Sequence, residues 1–126
     1  MANGTIAFDT LSTSGQIDGT ARSIDTDYLL NGSAKLWMNL DGSTFGIGDS
    51  FNMTSATDNG AGDYTGTIAN DMANTEWALT AHSGQAVNRT ESDVTVTAFE
   101  IHTMNEDGST KGDTSRVMVA GHGELA

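Results

Sequence analysis

From Ala34 onward the chain alternates apolar and polar residues in short runs, and clusters of Gly, Asn and Asp cut those runs at intervals of about 8 to 12 residues. That pattern confines it to strands, because alternation sorts side chains onto the two faces of a pleated sheet, whereas a helix needs an apolar stripe every three to four residues. In Ala34-Lys35-Leu36-Trp37-Met38-Asn39-Leu40, the residues Ala34, Leu36, Met38 and Leu40 share one face, and Lys35, Trp37 and Asn39 share the other. Asp41-Gly42-Ser43 closes this strand, and Phe45-Gly46-Ile47 makes a short second one. The run from Asp49 to Thr54 leads into Asp58-Asn59-Gly60-Ala61-Gly62-Asp63 and then Tyr64-Thr65-Gly66-Thr67-Ile68, which reads as a hairpin. There Gly60 and Gly62 supply positive φ, while Asp58 and Asn59 bond their own backbone.

Trp77, Leu79 and Ala81 alternate in the next strand, up to Ser83-Gly84. Val94 to His102 slips phase between Val96 and Phe99, which predicts a bulge or a sheet-switching bend near Thr97-Ala98. Gln85 to Asp93 and Asn105 to Ser115 read as polar loops, and Arg116 to Gly121 as the last strand. No window carries an amphipathic helix. The expected fold is all-β, an antiparallel β-sandwich or jelly roll over residues 34–126.

Residues 1–33 differ in character: small, polar and turn-prone, with apolar points at Ile6, Phe8, Leu11, Ile17, Ile24, Tyr28, Leu29 and Leu30 and no helical stripe. They read as an extended or β-rich arm that becomes ordered on a partner surface, with Ile6, Phe8 and Leu11 as its anchor points. Gln16-Ile17-Asp18-Gly19-Thr20 and Ser23-Ile24-Asp25-Thr26-Asp27 echo one another, as successive turns of a stalk would, or by chance in a biased composition. Asn31-Gly32 is a turn signal that ends the arm.

With neither Pro nor Cys, and with 37% hydrophobic and 6% aromatic residues, the chain has no disulfide framework and little apolar surface for a monomer. Burial between subunits would relieve that shortage. Five Lys and Arg against seventeen Asp and Glu give a net charge of -12, with carboxylates scattered along the whole length. A nucleic-acid partner is not expected on that balance, since phosphate binding rests on clustered basic side chains. The start, Met1-Ala2-Asn3-Gly4-Thr5, has neither the basic residues nor the apolar run of a signal peptide, and no stretch approaches the roughly 20 apolar residues of a membrane span. Synthesis in a cytoplasm without membrane insertion is expected.

Chemistry-bearing constellations are sparse. His82-Ser83 is an adjacent base and hydroxyl, but neighbours on a strand face opposite ways, so no catalytic pair is expected. Asp58 and Asp63 flank the Gly-rich turn and are the candidate Ca²⁺ ligands, with turn stabilisation as the simpler role. Glu106, Asp107 and Asp113 are weighed the same way. The three histidines, His82, His102 and His122, stand at no metal-ligand spacing, so each reads as an exposed strand histidine unless a threefold axis gathers one from each chain. No cofactor is expected. The Asn-x-Ser/Thr triplets at Asn3, Asn31, Asn52 and Asn88 are chance matches in such a composition. Trp37, Tyr64 and Trp77 are candidates for a sugar-stacking platform; Trp77 is in phase with the core, which leaves Trp37 as the surface or interface aromatic.

Gly32-Ser33-Ala34-Lys35-Leu36-Trp37-Met38-Asn39-Leu40, followed by Asp49-Ser50-Phe51-Asn52 and by Asp58-Asn59-Gly60-Ala61-Gly62-Asp63-Tyr64, resembles a module of bacteriophage tail-fibre and related virion proteins, of marine and cyanophage type. The likeness spans about Gly32 to Ala81, with looser agreement at Val117-Met118-Val119-Ala120 and from Ala2 to Ile17. Leu36 and Met38 depart from the small or β-branched residues usual there, and Asp71-Met72-Ala73 lacks the customary Pro. The resemblance implies a non-enzymatic virion protein, a tail-fibre or spike subunit forming a homotrimer. Its arm would engage tail or capsid proteins, and its loops at Gln85 to Asp93 and Asn105 to Ser115 would face a host-surface glycan. The alternatives are a capsid head fibre or decoration protein, and a carbohydrate-binding β-sandwich.

Overall fold

The computed structural model describes residues 16–17, 24–84, 87–89 and 94–126. The expected arm anchors Ile6, Phe8 and Leu11 lie outside the described residues. Strands β1 (Gln16–Ile17) and β2 (Ile24–Asp25) pair antiparallel with Ile17 opposite Ile24, so the described residues at the core of the two echoing patterns lie side by side.

Helix α1 (Thr26–Gly32) follows and corrects the expectation of a chain without helices. Its seven residues make about two turns, too few for an apolar stripe to show as a period. Asp27 lies in its positively polarised first turn. At the other end Ser33 Oγ donates to the Leu29 carbonyl at 2.9 Å, and Lys35 Nζ donates to the Leu30 carbonyl and, at 2.7 Å, to Ser33 Oγ. An ammonium against the last carbonyls satisfies orphan acceptors and opposes the negative end of the helix. Lys35 is therefore buried, although strand alternation places it on the outward face with Trp37.

The remaining strands are β3 (Leu36–Asp41), β4 (Gly46–Phe51), β5 (Met53–Gly60), β6 (Asp63–Ile68), β7 (Ala78–Ser83), β8 (Val87–Arg89), β9 (Ala98–Met104) and β10 (Val117–His122). They form two four-stranded sheets, ordered β4-β3-β10-β7 and β5-β6-β9-β8, with every pair antiparallel. The fold is thus an all-β two-sheet structure, as the patterning implies. The stretch from Gln85 to Asp93, expected as loop, contains β8, which pairs with β9 through Val87–Met104, Asn88–Thr103 and Arg89–His102. Three residues are too few for alternation to announce a strand.

The core lies where the inward faces meet. Leu36, Met38 and Leu40 of β3 and Val117 and Val119 of β10 face Tyr64 and Ile68 of β6 and Phe99 and Ile101 of β9, with Met72 and Trp77 filling one end. Strand β3 keeps the phase read from sequence, with Trp37 and Asn39 outward. Between β4 and β5 the chain changes sheets through a single residue, Asn52, at φ 58°, a left-handed conformation that Asn tolerates better than most residues. Its amide is committed there: Oδ1 accepts from the Asn70 backbone N–H at 2.7 Å, and Nδ2 donates to the Asn70 carbonyl at 3.1 Å.

The phase slip before β9 resolves as a turn. Thr95 and Ala98 bond through their backbones at 2.8 Å, and Trp77 Nε1 donates to the Thr95 carbonyl at 3.0 Å. The Trp77 ring then meets Phe99 edge-on, with centroids 6.1 Å apart.

Two positions test the packing in opposite senses. Gly66 faces the core opposite Phe99, and a Cβ there would stand 2.3 Å from the ring, so Gly66→Val is expected to destabilise by roughly 1–3 kcal/mol or more. Thr114 is buried and its Oγ1 has no hydrogen-bond partner among the described residues, so the near-isosteric Thr114→Val is expected to be neutral or to stabilise by about 1 kcal/mol. Urea midpoints at constant slope measure both.

Candidate functional site

The outward face of the second sheet carries an ionic cluster. Register pairs Asp63 of β6 with His102 of β9, and Glu100, two residues before His102, shares their face, while Tyr64, Phe99 and Ile101 turn to the core. An isolated bridge between Met104 and Lys111 brings Lys111 in from the Asn105–Ser115 loop. His102 Nε2 lies 2.8 Å from Glu100 Oε1 and 3.4 Å from Asp63 Oδ2. Lys111 Nζ lies 2.7 Å from Asp63 Oδ2 and 2.9 Å from His102 Nε2. Asn59 Nδ2 donates to the second Asp63 oxygen at 3.2 Å and to Thr65 Oγ1 at 2.8 Å. His102 is only 7% exposed, which corrects the expectation of an exposed strand histidine.

Burial pushes the Asp63 carboxyl up, but hydrogen bonds from Lys111 and Asn59 and the charges of His102 and Lys111 outweigh it, so its pKa falls below the ordinary value. One donor atom from each of Asp63, Glu100 and His102 lies within 4.8 Å of the others, so this face can hold a cation.

The long loop is fastened beside the cluster. Asp113 Oδ1 accepts from the Gly62 backbone N–H at 2.7 Å and from the Tyr64 hydroxyl at 2.9 Å. Burial and this carboxylate push the Tyr64 phenol up to about 12. Gly62, at φ +65°, has no room for a side chain: a Cβ would stand 2.4 Å from the Gly112 nitrogen and 2.5 Å from the Thr103 carbonyl oxygen. The Gly-rich hairpin is thus a docking edge for the loop that delivers Lys111.

The expected Asp58 and Asp63 pair separates. Asp58 lies opposite Tyr64 in the register and its Oδ1 accepts the Gly60 N–H at 2.9 Å, the turn-stabilising role, whereas Asp63 turns to the outward face. Asp107 likewise bonds the Ser109 N–H, at 2.8 Å. Ser83 is buried while His82 is exposed, so they face opposite ways as expected. His82 stands opposite Met118 and His122 opposite Ala78, both across the β7–β10 pair and on the other sheet from His102.

Of the three candidate platform aromatics, Tyr64 and Trp77 are buried and only Trp37 is exposed, at 38%. Its neighbour Phe51, which no sequence pattern marks out as a site residue, lies directly opposite Trp37 and is also exposed. Met118, exposed as well, completes an apolar patch on the outward face of the first sheet, flanked by Asn39, Asp49 and His82.

No protein-family model matches the chain, and neither a curated protein nor a solved structure does.

Because the Asp63 pKa is lowered on folding, its contribution to stability is fully present above the unfolded value near 4 and is lost as pH falls through the lower folded value. Thermal midpoints between about pH 7 and pH 3 are expected to fall further for the wild type than for Asp63→Asn, with the two curves converging at the acid end. Parallel curves would show that Asp63 contributes no proton-linked stability.

Proposed function

We propose that the chain is a non-enzymatic structural subunit of a bacteriophage virion, a tail-fibre or spike protein that works as a homotrimer, with an arm engaging other virion proteins and a β domain turned toward the host surface. Three features support this reading: the resemblance over Gly32 to Ala81, the all-β two-sheet domain, and a distribution of apolar surface that calls for a partner.

The last of these carries it. Helix α1 exposes Tyr28 at 79% together with Leu29 and Leu30, and the first sheet exposes Phe51, Trp37 and Met118 on its outward face. A helix this short is marginal alone in water, and large apolar side chains left in contact with solvent mark a surface for association. Further copies of the chain, or a virion neighbour, supply that burial. Trp37 serves either in the interface or in stacking on a host glycan, since an exposed indole suits both.

Light scattering of the purified full-length chain tests the assembly. A solution mass three times the 13.1 kDa of one chain is expected, falling to that of one chain in Trp37→Ser/Phe51→Ser or in Tyr28→Ser/Leu30→Ser, whichever surface forms the contact. A wild-type monomer at micromolar concentration overturns the trimer and favours a decoration protein that orders on the capsid.

A further inference from the structure

We propose that Asp63, Glu100 and His102 form a site for a divalent transition metal of the Zn²⁺ class, in which the Lys111 ammonium is the resident competitor for the metal's place. The donor set is mixed, one imidazole nitrogen and two carboxylates, and its imidazole is buried. Zinc bonds of about 2.0–2.1 Å at tetrahedral angles set neighbouring donors about 3.3 Å apart. His102 Nε2 lies 3.4 Å from the Asp63 oxygen and 2.8 Å from the Glu100 oxygen, which brackets that spacing. All three side chains stand on the paired strands β6 and β9, so their separation is set by sheet register rather than by a loop.

Proton bookkeeping at Nε2 points the same way. The contact with Glu100 at 2.8 Å requires Nε2 to carry a hydrogen, whereas the contact with the Lys111 ammonium at 2.9 Å requires Nε2 to offer a lone pair. One nitrogen cannot do both. A metal ion in the ammonium's place removes the conflict, because Nε2, Asp63 Oδ2 and Glu100 Oε1 then all present lone pairs to one centre. The charges leave room for a cation: with a neutral imidazole, two carboxylates and Lys111 sum to -1, and a divalent ion that enters as the partly exposed Lys111 side chain swings into solvent neutralises the two carboxylates. Ca²⁺ fits less well, since it takes six to eight hard oxygen ligands and has little use for an imidazole. Three protein donors leave a fourth position for water, the arrangement of an open zinc site.

The test is calorimetric titration of Zn²⁺ into the untagged full-length chain after chelator treatment, read beside thermal midpoints at rising Zn²⁺. One ion per chain and a midpoint that climbs with metal are expected, since a ligand that binds only the folded state stabilises it by mass action. Glu100→Gln, which keeps the side chain's shape but removes a ligand charge, is expected to weaken binding by at least the roughly tenfold that loss of an outer-shell partner costs, and His102→Ala to abolish it. Lys111→Met removes the competitor and a like charge beside the ion, and is expected to tighten binding. His82→Ala and His122→Ala are expected to bind as the wild type does. Absence of binding in both the wild type and Lys111→Met at millimolar Zn²⁺ overturns the site, as does binding that survives Glu100→Gln unchanged or vanishes in His82→Ala. A trimer or a monomer by light scattering leaves this outcome untouched, because all three ligands come from one chain.

Discussion

Everything in this chain depends on one layer of side chains pressed between two sheets. With 37% hydrophobic residues and no Cys, the sequence has no disulfide to add cohesion, so nearly every inward position must bury an apolar group. Leu36, Met38 and Leu40 do so along β3, and Val117 and Val119 along β10, the strand paired with it from the far end of the chain. Tyr64, Ile68, Phe99 and Ile101 answer from the other sheet. Where an inward position is Gly66, the opposing Phe99 ring covers it, so the layer has no gap there.

Connectivity turns that layer into a scaffold. A one-residue corner at Asn52 sends β4 and β5 into different sheets, and two polar devices, the Asn52–Asn70 amide pair and the Thr95 turn, stand where the chain leaves its strands. At the other end, Asp113 fastens the 105–115 loop to the Gly60–Gly62 hairpin through Gly62 and Tyr64. Lys111 reaches Asp63 and His102 because of that fastening. The ionic cluster is a consequence of hairpin geometry fixed elsewhere.

Much of this was legible in the residues, and the limits have physical reasons. Alternation and turn chemistry located β3, the Gly-rich turn between β5 and β6, the inward Trp77 and the break before β9, because each is a local pattern, whereas the run from Asp49 to Thr54 divides at Asn52 between β4 and β5, which lie in different sheets. Helix α1 and strand β8 escaped, being shorter than the window over which a period can be recognised. The cluster escaped for another reason. Glu100 and His102 are visibly two apart on one strand, but Asp63 and Lys111 join them only through the β6–β9 register and the bridge from Met104, which sequence spacing does not encode. The Asp58 and Asp63 pairing failed similarly: the bulge between Asp58 and Gly60 and the alternation of β6 point the two carboxylates in different directions.

The two outward faces differ in chemistry, and the difference constrains how copies can meet. At a net charge of -12, like chains repel, so contact is cheapest where carboxylates are sparse and apolar area is exposed. On the first sheet, the rows Phe51-Trp37-Ala120-Thr80 and Asp49-Asn39-Met118-His82 contain one carboxylate, Asp49. The second sheet presents Asp63, Glu100, His102 and Lys111 together, and burying that network against an apolar neighbour would desolvate charges without new partners for them. A trimer of this chain would therefore turn its first sheet and α1 inward and leave the second sheet in solvent. In such an assembly the hairpin, the 105–115 loop and the ionic cluster lie together on the outer surface, where a metal or a host ligand can reach them.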